Sequence, residues 1–301
     1  MFKNNKLIID LLSQLCIQSN NIFRIKSFQT AIKNISNHKN EITSGEYAKK
    51  NISGIGKGIA DRIDEILKTG TLKELNESDL LILKELMTVT GIGKSHAKKL
   101  VKEGFTDIKS LNKAKLTHHQ EIGLKYYEDL KERIPRKEMV LMDRYLNKMV
   151  KKIDSELILE ICGSYRRELE SSGDIDVLIT HPLKDNNYLK RLVNILIEDG
   201  FIIDNLTKLG NKKYMGIAKI DKKARRIDIR YIDYPSFWAG VLYFTGSKEF
   251  NVNIRNEAIK KGYSLSEYGL KDKISGELIE LKSEEHIFEL LGIDYIKPKD
   301  R

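Results

Sequence analysis

Residues Gly163 to Ile179, GSYRRELESSGDIDVLI, constrain the fold more than any other stretch of the chain. Asp174 and Asp176 occupy alternate positions in the apolar run IDVLI. Residues i and i+2 of a strand share a face, so both carboxylates point the same way. Ile175, Val177 and Ile179 then point to the other face, where a core can take them. Asp228 has a matching setting in RRIDIRYI, where Ile227, Ile229 and Tyr231 alternate with charged residues. If those two strands pair, three carboxylates converge. Crowded like charges repel unless cations neutralise them, and hard carboxylate oxygens suit Mg²⁺, with substrate phosphates completing its shell. Two such ions about 3.5–4 Å apart form the clamp that drives in-line phosphoryl displacement. An Asp-x-Asp strand alone marks a solvated face more often than a site. Here Gly163-Ser164 precedes it, with Arg166 and Arg167 between. These add a tight turn and phosphate-binding donors, and the combination points to nucleotidyl transfer.

A second device appears twice upstream. NISGIGKGIADRIDEIL carries Gly54-Ile55-Gly56, with Ile59, Ile63 and Ile66 on one face of the helix that follows. VTGIGKSHAKKLV carries Gly91-Ile92-Gly93, then Ala97, Leu100 and Val101. Both read as helix-hairpin-helix motifs. The glycines let the backbone approach a phosphate, and the following helix opens there with unpaired N–H groups and a positive dipole end. Lys57, Lys94, Lys98 and Lys99 add charge. Such motifs grip the nucleic-acid backbone rather than the bases. One copy is readily an ordinary turn between helices; two point to DNA. The net charge of +10 agrees with a polyanionic partner, and the excess is concentrated in residues 1–135.

Amphipathic helices are predicted over 5–18, 26–36 and 139–153, with a further helical segment from Leu116 to Pro135. Its adjacent His118 and His119 point to different sides of a helix, so they read as surface or phosphate contacts and not as a metal pair. Strands are predicted at 156–162, 174–180, 214–220 and 225–232 with a helix near 187–199, a small mixed α/β domain. The last fifty residues carry a YFTGS turn, a helix from Asn251 to Lys261, a short β segment within 264–279 and a helix over 284–291. Cys16 and Cys162 form no ligand cluster and lie in apolar segments, so the chain reads as reduced and intracellular. No apolar run approaches a membrane span, and no signal-peptide core is evident.

Taken together, GSYRR, SSGDIDVLITHP, RRIDIR, GVLYFTGS and IKPKDR resemble the family X DNA polymerases, the DNA polymerase beta group, over essentially the whole chain. The resemblance implies an α+β multidomain protein. It divides into a helical N-terminal lyase-like domain (1–77), a helical fingers-type subdomain (78–134), a mixed α/β nucleotidyltransferase palm (135–245) and a small α/β nascent-base-pair subdomain (246–301). It implies gap filling from dNTPs with two Mg²⁺ or Mn²⁺ ions on Asp174, Asp176 and Asp228. Arg133, Ser164, Arg167 and the Gly173 backbone would contact the triphosphate. Tyr243, Phe244 and Gly246 would line the sugar pocket, while Asn251 and Arg255 check the nascent pair. Arg226 would steady Asp228 and the primer phosphate, alongside DNA contacts from Gly54, Gly56, Lys57, Gly91, Gly93 and Lys94. A monovalent cation, Na⁺ or K⁺, would sit on the backbone carbonyls of Lys50, Ile52 and Ile55 in the first hairpin, and of Met87, Val89 and Ile92 in the second. Arg230 would switch between Asp176 and Glu267 on closure, and a cis peptide would join Gly246 to Ser247. The implied partners are gapped or nicked duplex DNA and a DNA ligase, around a monomer in the nucleus, or in the cytoplasm or virion of a virus.

The sequence also departs from that family. Its lyase nucleophile is a lysine where this chain has Arg62, and an arginine cannot lose its proton to become an amine nucleophile. Arg24, Phe28, Gly58 and Glu74 differ around it, and Lys57 is the nearest substitute amine, so lyase activity is expected to be weak or absent. Lys248 replaces an acidic residue, and Val252 a lysine. Two other classes compete: a nucleotide-adding or antibiotic-modifying nucleotidyltransferase, against which the tandem hairpins argue, and a non-catalytic DNA-end binder, against which the three acids argue.

Overall fold

Apolar residues at helical spacing make the first 116 residues helical throughout. The computed structural model describes residues 1–183, 187–220 and 222–301, which form two compact units, Met1–Leu116 and Thr117–Arg301. In the first, α1 (Lys3–Gln18), α2 (Ile22–Ser36), α3 (Gly45–Asn51) and α4 (Lys57–Thr69) enclose one core containing Ile8, Leu12, Ile35, Ile63 and Ile66. Asn21 starts α2 by accepting from the Phe23 and Arg24 N–H groups, and Gly70, with φ 75°, stops α4. α5 (Glu77–Leu86) and α6 (Lys94–Lys102) repeat the arrangement of α3 and α4 around the second Gly-Ile-Gly. The boundary between the units falls inside the segment 78–134, which the sequence groups as one subdomain.

The second unit opens with α7 (His118–Lys125) and α8 (Tyr127–Lys131), then β1 (Ile134–Pro135) and the long α9 (Arg136–Ile153). There follow β2 (Ile158–Ile161), α10 (Gly163–Arg166), β3 (Ser171–Ser172), β4 (Ile175–Thr180), α11 (Tyr188–Glu198), β5 (Ile202–Asn205), β6 (Lys213–Ile220) and β7 (Lys223–Tyr231). β1 pairs with β3, and the main sheet has the order β2-β4-β7-β6-β5. Only the β4–β7 pair in that sheet is parallel, and it sets Asp176 directly against Asp228. Ile175, Val177, Ile179, Ile227 and Ile229 enter a core beneath α9 and α11.

β4 is not half exposed, as strict alternation predicts. Leu178 is also buried, because α12 (Phe237–Thr245) covers that face with Phe237 and Val241. FWAGVLYFT is apolar almost throughout, so it shows no helical period, and its end is read from sequence only as the YFTGS turn. α13 (Lys248–Lys260), the antiparallel strands β8 (Tyr263–Ser266), β9 (Gly269–Asp272) and β10 (Leu278–Ile279), and α14 (Glu284–Leu291) complete the unit. Their core holds Leu242, Phe250, Ile254, Leu270 and Phe288. Among the described residues, no helix is long and apolar enough to cross a membrane.

Candidate active site

Pairing β4 with β7 in parallel brings together the acids that the sequence places on separate strands. Burial pushes the Asp176 carboxyl up to about 6, and the neighbouring Asp228 charge adds to the rise, against the pull of Arg230 and Arg167. Burial also raises Asp228, against the pull of Arg226, Lys213, Arg230 and His119. Asp228 Oδ1 is buried and has no hydrogen-bond partner. Two half-buried carboxylates side by side, one with an orphan oxygen, are a poor structural pair and a good donor set for a hard divalent cation. Asp174, just ahead of β4, is ion-paired with Arg226, whose Nε lies 3.7 Å from Asp228 Oδ1. Arg226 therefore bridges two of the acids, where the sequence assigns it to Asp228 and the primer.

Gly163 is the residue that lets the nucleotide-side turn come this close. Its φ is 61°, and a Cβ there would stand 2.7 Å from Asp176 Oδ2. Gly163→Ala is expected to cost about 1–3 kcal/mol from the strained backbone alone. It should also lower extension activity by displacing Asp176. A thermal melt and a rate on the same preparation test this, and an unchanged melting temperature together with an unchanged rate would contradict it.

Next to the acids lies a cavity of about 570 Å³. Ser164, Arg167, Tyr243, Phe244, Gly246, Asn251 and Arg255 all line it with Asp174 and Asp176, as do Lys248 and Val252. Arg133 and Gly173 lie outside this lining. Arg133 donates to Ser171 Oγ at 2.7 Å and to Ser171 O at 2.6 Å, and its Nη1 lies 4.0 Å from where a Gly173 Cβ would be. Arg167 donates to Thr245 O, and the Gly246–Ser247 peptide is cis. Asn251 Nδ2 donates to Tyr243 O at 2.7 Å, and Arg255 lies over the Tyr243 ring.

Several residues stand elsewhere than expected. Arg230 stacks on Phe244 at 4.7 Å and makes no ion pair with Asp176, while Glu267 is 3.8 Å from Arg255. The expected Arg230–Glu267 exchange therefore has neither end in place here. His118 Nε2 bonds Asn205 O at 2.7 Å. His119 faces the acid site, where burial and then Arg226 lower its pKa. Arg166, read as a phosphate donor, turns inward to Glu160 Oε1 at 2.8 Å, Thr245 Oγ1 at 2.9 Å and both Glu284 oxygens. Nothing local in the sequence signals that partnership, because Glu284 lies 118 positions away.

The hairpin glycines divide into two kinds. Gly54 and Gly91 adopt φ of 82° and 89°, which the turn requires. Gly56 and Gly93 have ordinary φ, and a Cβ at either would meet nothing within 4 Å. Their smallness serves no packing need, and it leaves open space at the first turns of α4 and α6. Ile55 N–H donates to Ile52 O at 3.4 Å and Ile92 N–H to Val89 O at 3.0 Å, so two of the carbonyls assigned to a monovalent cation also close the turns. The expected basic cluster is partly occupied. Lys94 donates to Cys16 O, Lys98 to Gln18 O, Ser19 O and Asn20 Oδ1, and Lys99 lies 3.7 Å from Glu103. Lys57 remains exposed.

Among the described residues, one His/carboxylate group elsewhere has metal-ligand spacing: Asp154, Glu156 and His181 offer atoms within 4.8 Å of one another. His181 lies five residues along the chain from Asp176, about 16 Å at strand rise. Its Nδ1 lies 3.0 Å from Leu183 N and 3.3 Å from Leu183 O, and its buried Nε2, without a hydrogen-bond partner among the described residues, lies 3.4 Å from Asp154 Oδ1.

Comparison with known proteins matches the chain to family models along most of its length. They are the DNA polymerase beta palm (133–234) and thumb (240–301), the fingers domain of DNA polymerase lambda (84–131), a helix-hairpin-helix domain (3–72) and a tandem helix-hairpin-helix (50–103). The chain is 31% identical to DNA polymerase lambda of Rattus norvegicus over 93% of its own length and 52% of that protein's. It is 31% identical to DNA polymerase lambda of Arabidopsis thaliana, over 91% and 57%, and 28% identical to DNA nucleotidylexotransferase of Xenopus laevis, over 84% and 60%. It thus spans between half and three fifths of these relatives. With palm, thumb, fingers and both hairpin regions matched in order, the chain belongs to the family X DNA polymerases.

Proposed function

We propose that this chain is a repair-type, DNA-directed DNA polymerase that fills short gaps by adding dNTPs to a primer 3′-hydroxyl. The observation that carries the reading is the parallel register of Asp176 and Asp228 beside a nucleotide-sized cavity. Asp174 and Asp176 would hold two divalent cations, Mg²⁺ or Mn²⁺, and Asp228 one of them. When bound, such ions supply Lewis acidity toward the attacking hydroxyl and the departing pyrophosphate.

The rest is the work of the chain's own groups. Ser164 and Arg167 hold the triphosphate, with Arg133 and the Gly173 backbone beside them; binding there draws Arg167 from Thr245 O. Tyr243 and Phe244 take the sugar, and Asn251 and Arg255 face the nascent pair. Arg226 neutralises the acids in the free enzyme and keeps Asp174 and Asp228 close together. Gly54, Gly56, Gly91 and Gly93 leave the first turns of α4 and α6 open to DNA phosphates, with Lys57 beside the first. A monovalent cation on the hairpin carbonyls belongs to the same reading. Binding through phosphates should be blind to sequence and should weaken steeply with salt.

The experiment pairs a one-nucleotide-gapped duplex with a single-stranded primer of the same sequence. Extension of the gapped substrate and not of the single strand is expected. The reverse would favour untemplated addition to a free end.

The N-terminal unit supports weak or absent 5′-deoxyribose-phosphate removal. Arg62 and Arg24 both grip Glu74, the latter at 2.8 Å, and both lie over Phe28. The hydrogen bond from Arg62 holds the Glu74 carboxyl below its ordinary range, outweighing burial, with Arg24 assisting. The positions that would hold a nucleophilic amine and its phosphate thus form a closed ion cluster. Borohydride trapping on incised abasic DNA should yield little adduct. Abundant adduct would contradict this, and its loss in Lys57→Ala would identify the amine.

A further inference from the structure

The cavity beside the acids carries a cation that the proposed chemistry does not use. Four residues of α13, Lys248, Asn251, Val252 and Arg255, line it. Their spacing of three, four and seven puts them on one helix face. Asn251 is held by Tyr243 O, and Arg255 by the Tyr243 ring and Glu267. Lys248 is exposed and makes no hydrogen bond or ion pair with any described residue. It also stands at the first position of α13, where the helix dipole disfavours a cation. The first turn otherwise follows the rule: Ser247 Oγ accepts from Phe250 N–H at 3.3 Å, and Glu249 supplies the favoured sign. A free charge in an unfavourable local position, on the one helix face that meets the cavity, indicates a role toward what the cavity binds.

We propose that Lys248 sets the affinity for the incoming nucleoside triphosphate without reading its base. The inference rests on the polymerase reading above. An ammonium within the cavity attracts a tetra-anionic nucleotide whichever base it carries, because the attraction acts on net charge and needs no base edge. Val252, one turn on and 47% exposed, offers apolar surface beside the lysine stem, and contact with a base face there is equally indifferent to base identity. The interaction is solvent-facing, so it should be moderate and sensitive to salt.

The test measures dNTP binding to the enzyme on gapped DNA whose primer ends in a dideoxynucleotide, so that no bond can form. Wild type, Lys248→Gln and Lys248→Glu are compared with each of the four template bases at two salt concentrations. Removing one exposed charge should raise the nucleotide Kd about threefold to tenfold, and reversing it should raise the Kd further. The rise should be similar for all four correct nucleotides and should shrink at high salt. On an extendable primer the loss should appear in KM rather than kcat.

A Kd unchanged in both variants, while wild type binds normally, would overturn the inference and leave the polymerase reading standing. An effect confined to one base, or a change in DNA affinity in place of nucleotide affinity, would also overturn it. Failure of wild type to bind any nucleotide would overturn the polymerase reading and this inference together.

Discussion

Asp228→Ala should cut single-nucleotide insertion by at least about a thousandfold, equivalent to about 4 kcal/mol of transition-state stabilisation. DNA affinity should be nearly unchanged. Asp228 is 14% exposed at its side chain and lies against Asp176 across the β4–β7 pair. Its loss would leave Asp174 and Asp176 without their third oxygen donor while relieving the repulsion that raises Asp176. The variant should therefore fold at least as well as wild type. Single-turnover extension with a parallel DNA titration separates the two effects. Retention of a tenth of the wild-type rate would contradict the assignment of Asp228 to the reacting centre.

The second large effect concerns stability. Glu284 is 2% exposed and neutralises two arginines, Arg166 on α10 and Arg301, whose side chain is fully buried. Burial alone would raise its carboxyl, but hydrogen bonds from Arg301 and Arg166 outweigh it and hold the pKa below the ordinary 4.5. Glu284→Ala leaves the buried Arg301 guanidinium uncompensated and Arg166 with Glu160 alone, for which about 3–5 kcal/mol is expected. For a unit of this size that is a melting-temperature loss on the order of 10 °C. A depressed folded-state pKa means the stabilisation is present above the unfolded value and is lost as pH falls through the folded one. The gap between wild type and variant should therefore be widest at neutral pH and narrow as pH falls below the ordinary carboxyl value and through the lowered one. A gap independent of pH, or no gap, would contradict the account.

How much was legible in the sequence follows from the range of each interaction. Asp174, Asp176 and Asp228 announced themselves because strand alternation is local, and the hairpins did so because glycine spacing is local. The parallel pairing that joins Asp176 to Asp228 could be posed only as a condition, since 52 residues separate them. α12 escapes sequence reading as a helix because a segment apolar on nearly every side has no amphipathic period. Arg166 was misread because the adjacent Arg167 lines the cavity, and only the fold separates one that faces inward. Lys94 and Lys98 looked like free phosphate contacts because nothing near them in sequence shows that α1 ends against them. The Arg230–Glu267 exchange rests on resemblance and on charge logic, and here Glu267 lies beside Arg255.

The measurement that bears most directly on the central claim is filling of a one-nucleotide gap. Each of the four dNTPs is offered opposite each template base, with Mg²⁺ and with chelator. The account predicts insertion of the complementary nucleotide, abolished by chelation and restored by adding the metal back. Insertion that ignores the template base, or that persists without a divalent cation, would contradict it.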